Sequence, residues 1–112
     1  AASELELSLA LRPEVPVLYH ELTKAYISGN NLQQAASVMN KMLEKYPLSE
    51  EGYITLGDIF AQRGDWLRAN RAYDKAFTLN PNHPFIAKRK NLVKENIEVK
   101  KEEKERIALS VR

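Results

Sequence analysis

The chain has 112 residues and a mass of 12.8 kDa, enough for one domain with a modest core. It contains no cysteine, which excludes disulfides, thiolate nucleophiles and thiolate metal sites. No apolar run approaches the length of a membrane span, and residues 1–12 do not have the pattern of a signal peptide. A cytoplasmic location is favoured, but export stays open, because mature secreted forms lose the signal peptide.

Charge is distributed unevenly along the chain, although the net charge is only +2. Residues 1–87 carry 8 Lys or Arg and 10 Asp or Glu, whereas residues 88–112 carry 9 and 5. The basic segment interleaves both signs and has no aromatic residue beyond Phe85. This pattern is typical of a solvated helix, and it predicts neither nucleic-acid binding nor a membrane span.

A repeat of 34 residues organises the chain. Pro13, Pro47 and Pro81 are spaced at this period. The series Tyr19, Leu22, Thr23, Tyr26 returns 34 positions later as Tyr53, Leu56, Gly57, Phe60. Positions i, i+3 and i+7 lie on one face of a helix, so each unit begins with an amphipathic helix. Alanines follow in phase at Ala35 and Ala69.

These residues resemble the tetratricopeptide repeat, whose pattern is W-x₂-L-G-x₂-Y…A-x₃-F…P. The resemblance implies an all-α, right-handed solenoid of antiparallel helix-turn-helix units. We expect the end of a preceding partial repeat at 1–15, units at 16–49 and 50–83, and a charged C-terminal capping helix at 84–112. The expected helices span 3–11, 16–28, 32–45, 50–62, 66–79 and 84–109.

Local signals indicate where these helices begin. Pro16 and Pro84 suit first-turn positions, and Ser49, Asn31 and Asp65 are expected N-caps. Glycines Gly29 and Gly64 separate the two helices of each unit but lie one position out of strict phase.

Catalytic and metal-binding sets are not found in the sequence. His20 and His83 are the only histidines, and neither has a second ligand at metal-binding spacing. There is no Gly-rich phosphate loop and no G-x-S-x-G motif. The sequence therefore predicts a non-enzymatic protein without metal or cofactor.

The resemblance implies a concave groove lined by the first helix of each unit, which binds a protein or peptide partner. The positions that the core pattern does not use are predicted to contact this partner; they are Val17, His20, Lys24, Ile27, Glu51, Ile54, Asp58, Gln62, Lys88 and Leu92, with Ser28, Ala61, Phe85 and Asn96 beside them. Family members that clamp a C-terminal carboxylate use Lys, Asn and Arg. Here Glu51 and Asp58 would repel that ligand, so the clamp is rejected and a partly apolar peptide or helix is favoured.

Two functions remain open at this point. The first is a protein-interaction scaffold or adaptor that uses the groove. The second is structural self-assembly into a homo-oligomer, because the half repeat at residues 1–11 leaves Leu5 and Leu9 without a partner helix.

Overall fold

The computed structural model describes residues 2–111, and over this range it contains six α-helices and no strand. The helices are α1 (Ala2–Leu11), α2 (Pro16–Ser28), α3 (Leu32–Lys45), α4 (Glu50–Gln62), α5 (Trp66–Leu79) and α6 (Ile86–Ser110). Each helix packs against its neighbours in chain order, and the molecule measures 58 × 32 × 19 Å. The predicted all-α solenoid is confirmed. No helix in residues 2–111 has both the length and the apolar character needed to cross a membrane.

Helices α2 to α5 have the predicted bounds, whereas the two outer helices differ slightly. The prediction that Pro84 lies in the first turn of the last helix is wrong, because α6 begins at Ile86 with Phe85 as its N-cap. His83 explains this start: its Nδ1 accepts a hydrogen bond from the Phe85 backbone N–H at 3.3 Å, which holds residues 83–85 in a turn. The first α6 turn then closes from Arg89 N–H to the Phe85 carbonyl.

The expected N-caps are confirmed at two of three helices. Ser49 accepts a hydrogen bond from the Gly52 N–H at 3.1 Å, and Asp65 accepts one from the Arg68 N–H at 3.3 Å. Asn31 occupies the N-cap of α3, but its side chain makes no capping hydrogen bond.

The turns inside the two helix pairs have the same backbone conformation. This shows that Gly29 and Gly64 are not equivalent positions of the repeat. Gly64 has φ +76°, and the residue 34 positions earlier, Asn30, has φ +59°. Asp65 N–H bonds to the Phe60 carbonyl, as Asn31 N–H bonds to that of Tyr26, which is the six-residue closure of a Schellman motif. The two turns are therefore in strict phase, with Asn30 in place of a second glycine.

The interior is formed where each pair stacks on the next. The largest buried cluster joins both pairs; its members include Tyr19, Ala35, Met39, Met42, Leu56, Ile59 and Ala72. Gly57 brings α4 close to α5, because a Cβ at this position would lie 2.5 Å from the Tyr73 ring. These are the small and aromatic residues of the repeat pattern.

Helix α6 packs on the second pair chiefly through its first half. Ile86 and Val93 are fully buried against the second pair, whereas residues 98–110 are exposed throughout. At the α6 positions in phase with Leu56, Gly57 and Phe60 stand Lys90, Asn91 and Lys94. These three positions of α6 are therefore polar, unlike their equivalents in α4.

Candidate functional site

We use the term first-helix surface for the predicted partner-contacting residues on α2, α4 and α6. Six of the ten are exposed, namely Val17, Lys24, Glu51, Gln62, Lys88 and Leu92. His20, Ile27 and Asp58 are half-buried. The structure thus leaves nine of the ten predicted residues in reach of solvent.

Ile54 is the exception, since it is only 6% exposed and packs with Ala76 and Ile86. Its position in the repeat faces the following first helix, and α6 covers it. The equivalent residue of α6 is Lys88, which has no following helix in the described range and is exposed. The expectation that Ile54 contacts a partner is therefore replaced by a structural role.

Asp58 is held by two neighbouring helices. Its Oδ1 lies 2.9 Å from the Nε of Arg89 and also accepts the hydroxyl of Tyr73. Burial of Tyr73, together with this hydrogen bond, raises the pKa of the tyrosine above its usual 10.0. The carboxylate thus joins α4, α5 and α6, and its charge is already neutralised within the protein.

Arg89 is not among the predicted partner-contacting residues, because it falls one position from the phase of Lys88. Its guanidinium lies 5.5 Å from the centre of the Phe85 ring as well as against Asp58. The sequence does not reveal this ion pair, because Arg89 and Asp58 are 31 residues apart. Whether the two groups meet depends on the length of the arginine side chain.

An apolar groove crosses the part of this surface that α6 forms. It has a volume of about 460 Å³ and is lined by Phe85, Lys88, Arg89, Leu92 and neighbouring polar residues. Phe85 is 57% exposed and Leu92 54%. Seven residues apart on one helix, they lie on the same face. The site is therefore a pair of exposed apolar side chains with a lysine between them.

One cluster with metal-ligating groups escaped the sequence analysis, because its members are 32 residues apart. Ligand atoms of Glu50, Glu51 and His83 lie within 4.8 Å of one another, and His83 Nε2 is 3.5 Å from Glu51 Oε1. His83 Nδ1 accepts the Phe85 N–H, so the neutral ring carries its hydrogen on Nε2, facing the glutamate. This arrangement favours a hydrogen bond that fastens the α6 turn to α4.

Comparison with known proteins supports the same architecture. A family profile described as the tetratricopeptide repeat matches residues 50–83. No curated protein matches the chain in sequence. A solved structure of MamA AMB-1 is similar with 22% identity and a TM-score of 0.75, over 87% of this chain and 53% of that chain. A crystal structure of MamA has 19% identity and a TM-score of 0.81, over 90% and 59% respectively.

The fold class is therefore a helical solenoid built from antiparallel helix pairs. Residues 50–83, the pair α4 and α5, are a tetratricopeptide repeat, as their motif predicts. The assignment of residues 16–49 as a further unit stays a prediction, to which the matching turn of α2 and α3 lends support. The chain spans between half and three fifths of the length of these MamA structures, and a likeness at this identity shows the fold alone.

Proposed function

We propose that this chain is a non-enzymatic protein–protein interaction module, a scaffold or adaptor segment that binds a partner peptide or helix along the first-helix surface. The observation that carries the proposal is the α6 groove, where Phe85 and Leu92 are more than half exposed beside Lys88. Exposed apolar groups in a groove rimmed by charge are a frequent feature of protein-binding sites. Repeat solenoids use extended surfaces of this kind.

The remaining residues of the surface suggest the character of the partner. Val17 and Ile27 add apolar area on α2, and Lys24 adds a positive charge that Glu21 shares at 3.4 Å. Asp58 is occupied by Arg89, so the negative charge that remains for a partner is chiefly that of Glu51. A segment with apolar anchors and charges of both signs fits this surface.

Partner capture by the immobilised protein tests the proposal. Lys88→Glu and Leu92→Asp together should abolish capture, as should Lys24→Glu, while the helical circular dichroism spectrum stays unchanged. Leu109→Asp is the matched control, because Leu109 is 63% exposed on the same helix and lies outside the groove. Capture that survives in the double variant, or that is lost equally in the control, would exclude the first-helix surface.

Self-assembly is the second candidate, and exposed apolar residues on α1 favour it. Leu7 is 64% exposed and Leu11 75%, and α1 packs chiefly against α2. On α6, Phe85 and Leu92 are also exposed, beside the position equivalent to Ile54, so a helix of a second copy is one partner that this groove fits. Light scattering after size exclusion at two concentrations discriminates between them: a mass near 12.8 kDa at both favours partner binding, and a mass that rises with concentration favours self-assembly.

A further inference from the structure

A second groove lies between the second helices of the two pairs, α3 and α5, on the side of the molecule that the first-helix surface does not use. We call it the second-helix groove. It has a volume of about 490 Å³, and its floor consists of α4 residues Tyr53, Leu56 and Phe60. The α5 wall carries Arg68, Arg71 and Lys75 on one face of the helix.

The same groove occurs one repeat earlier, between α1 and α3, and provides an internal comparison. Each of its eight lining residues precedes, by one repeat, a lining residue of the second-helix groove. Its floor is Tyr19, Leu22 and Tyr26, so the two floors are nearly identical. The later groove has two further lining residues, Arg68 and Arg71, where the earlier repeat has Gln34 and Ser37.

The electrostatics of the two grooves differ for this reason. In the earlier groove Lys41 is balanced by Glu6, which accepts the hydroxyl of Tyr26. In the later groove Asn40 replaces that glutamate, and Glu44 is the one acidic residue among those that line it.

The three cations of the second-helix groove are not equally available. Arg68 is 3.4 Å from Asp65. Arg71 and Lys75 have no carboxylate within 4 Å in residues 2–111, and both are exposed. The second-helix groove thus carries a local excess of positive charge above an apolar floor.

We infer that the second-helix groove binds an extended acidic peptide in which two acidic residues flank an apolar one. Arg71 and Lys75 are four residues apart on α5, about 6 Å along its axis. Alternate residues of an extended chain are separated by about 6.6 Å and point to the same side. Two carboxylates in this spacing reach both cations, while the intervening side chain turns toward the floor and the α3 side of the groove.

The aromatic floor favours a peptide over a nucleic acid. Single-stranded nucleic acids bind by stacking bases on open aromatic faces. Here Lys75 Nζ lies 5.5 Å from the centre of the Tyr53 ring, and Arg68 Cζ lies 6.0 Å from that of Phe60. These cations lie over the ring faces, where a base would stack, and leave the ring edges for an apolar side chain.

Fluorescence anisotropy with a labelled peptide, Glu-Leu-Glu-Leu-Glu, tests the inference at low ionic strength. The matched probes are Gln-Leu-Gln-Leu-Gln and oligothymidylate. The decisive variant is Arg71→Ser with Lys75→Gln, which removes the two cations that the inference assigns to the peptide carboxylates. The control variant is Lys101→Gln with Lys104→Gln, which removes the same amount of charge from exposed residues of α6 outside the second-helix groove.

The acidic peptide should bind the unmodified protein, and the α5 double variant should weaken binding about tenfold or more, because it removes both cations assigned to the peptide carboxylates. Glu44→Gln should strengthen binding, because it removes the acidic residue that lines the groove. This variant keeps the test informative if the double variant is poorly folded. The control variant should bind as the unmodified protein does. No measurable binding, equal binding of the glutamine peptide, tighter binding of oligothymidylate, or an unchanged affinity in the α5 variant would each overturn the inference.

Discussion

At the residue scale, the second helix pair depends on small side chains that allow α4 and α5 to approach closely. Gly57 lies against the Tyr73 ring, and Ala69 is fully buried beside Tyr73 and Val93. Ala69 therefore lies where the second pair meets α6 as well as inside the pair. Because protein interiors are close-packed, a larger side chain at either position must displace its neighbours.

Ala69→Leu is expected to lower the free energy of unfolding by about 1–3 kcal/mol through overpacking. Chemical denaturation monitored by circular dichroism measures this loss. Ala108→Leu is the control, since Ala108 is exposed on α6 and the same change there should have little effect. An unchanged stability in Ala69→Leu would contradict the placement of this alanine in the interior.

Tyr73 makes stability depend on pH in the alkaline range. Its pKa is raised in the folded state, by burial first and then by the hydrogen bond to Asp58. Below pH 10 the tyrosine is protonated in both states, and above it the unfolded chain loses the proton while the folded chain keeps it. The contribution of Tyr73 is therefore full below its unfolded pKa and is lost as the pH rises above that value.

Tyr73→Phe should reduce the fall in urea midpoint between pH 9 and pH 11, because phenylalanine does not titrate. As an internal control, the difference in midpoint between the two proteins should stay constant below about pH 9, where Tyr73 is protonated in both states. If the Tyr73→Phe and unmodified curves ran parallel over this range, the tyrosine would not be the group responsible.

At the scale of the secondary-structure elements, α6 is a helix of two halves. The first half is fastened by Ile86 and Val93 in the interior and by the ion pairs of Arg89 with Asp58 and Lys90 with Asp74. The second half carries Ile107 at 64% exposure. Both halves are helical and both contain apolar residues. They differ in whether those residues are buried.

Two substitutions of the same residue type test this division. Ile86→Ala should destabilise the protein by about 2–5 kcal/mol, because it leaves a cavity under α6. Ile107→Ala should change stability by less than about 0.5 kcal/mol, as is usual at the surface. Thermal or chemical unfolding of both variants measures the difference, and equal effects would show that the exposed half is also packed.

The ends of the helices were largely predictable from local chemistry. Pro16, Ser49 and Asp65 mark starts correctly, since a cap or a first-turn proline acts over only a few residues. The start predicted from Pro84 was wrong, because the His83 side chain stabilises a turn before α6 that the proline alone does not indicate. The phase of Asn30 was hidden for a similar reason, as asparagine also adopts the left-handed conformation.

At the scale of the whole molecule, the most extensive packing is between helices adjacent in chain order, so stability should vary along the stack. Helices α4 and α5 have packed neighbours on both sides, whereas α1 packs chiefly against α2 among the described residues. Local opening therefore costs less at the ends.

Hydrogen exchange measured by mass spectrometry should show the slowest amides in α4 and α5 and the fastest helical amides in residues 101–110. Cooperative units of different stability predict this order. Removal of residues 101–112 should leave the exchange of α4 and α5 unchanged. Protection of residues 101–110 as strong as that of α4 would indicate that they are covered in solution.

The repeat period, the number of helices and the bounds of the four inner helices follow from the residues alone, because periodicity, caps and turns act over short distances. Which surface positions are open depends on how the helices pack. Ile54 is buried because α6 covers it, Asp58 is occupied because Arg89 reaches it, and Arg71 lines a groove because α3 faces α5. Each outcome depends on a residue that is distant in sequence. No local pattern specifies whether that residue packs against the position or reaches it with a side chain.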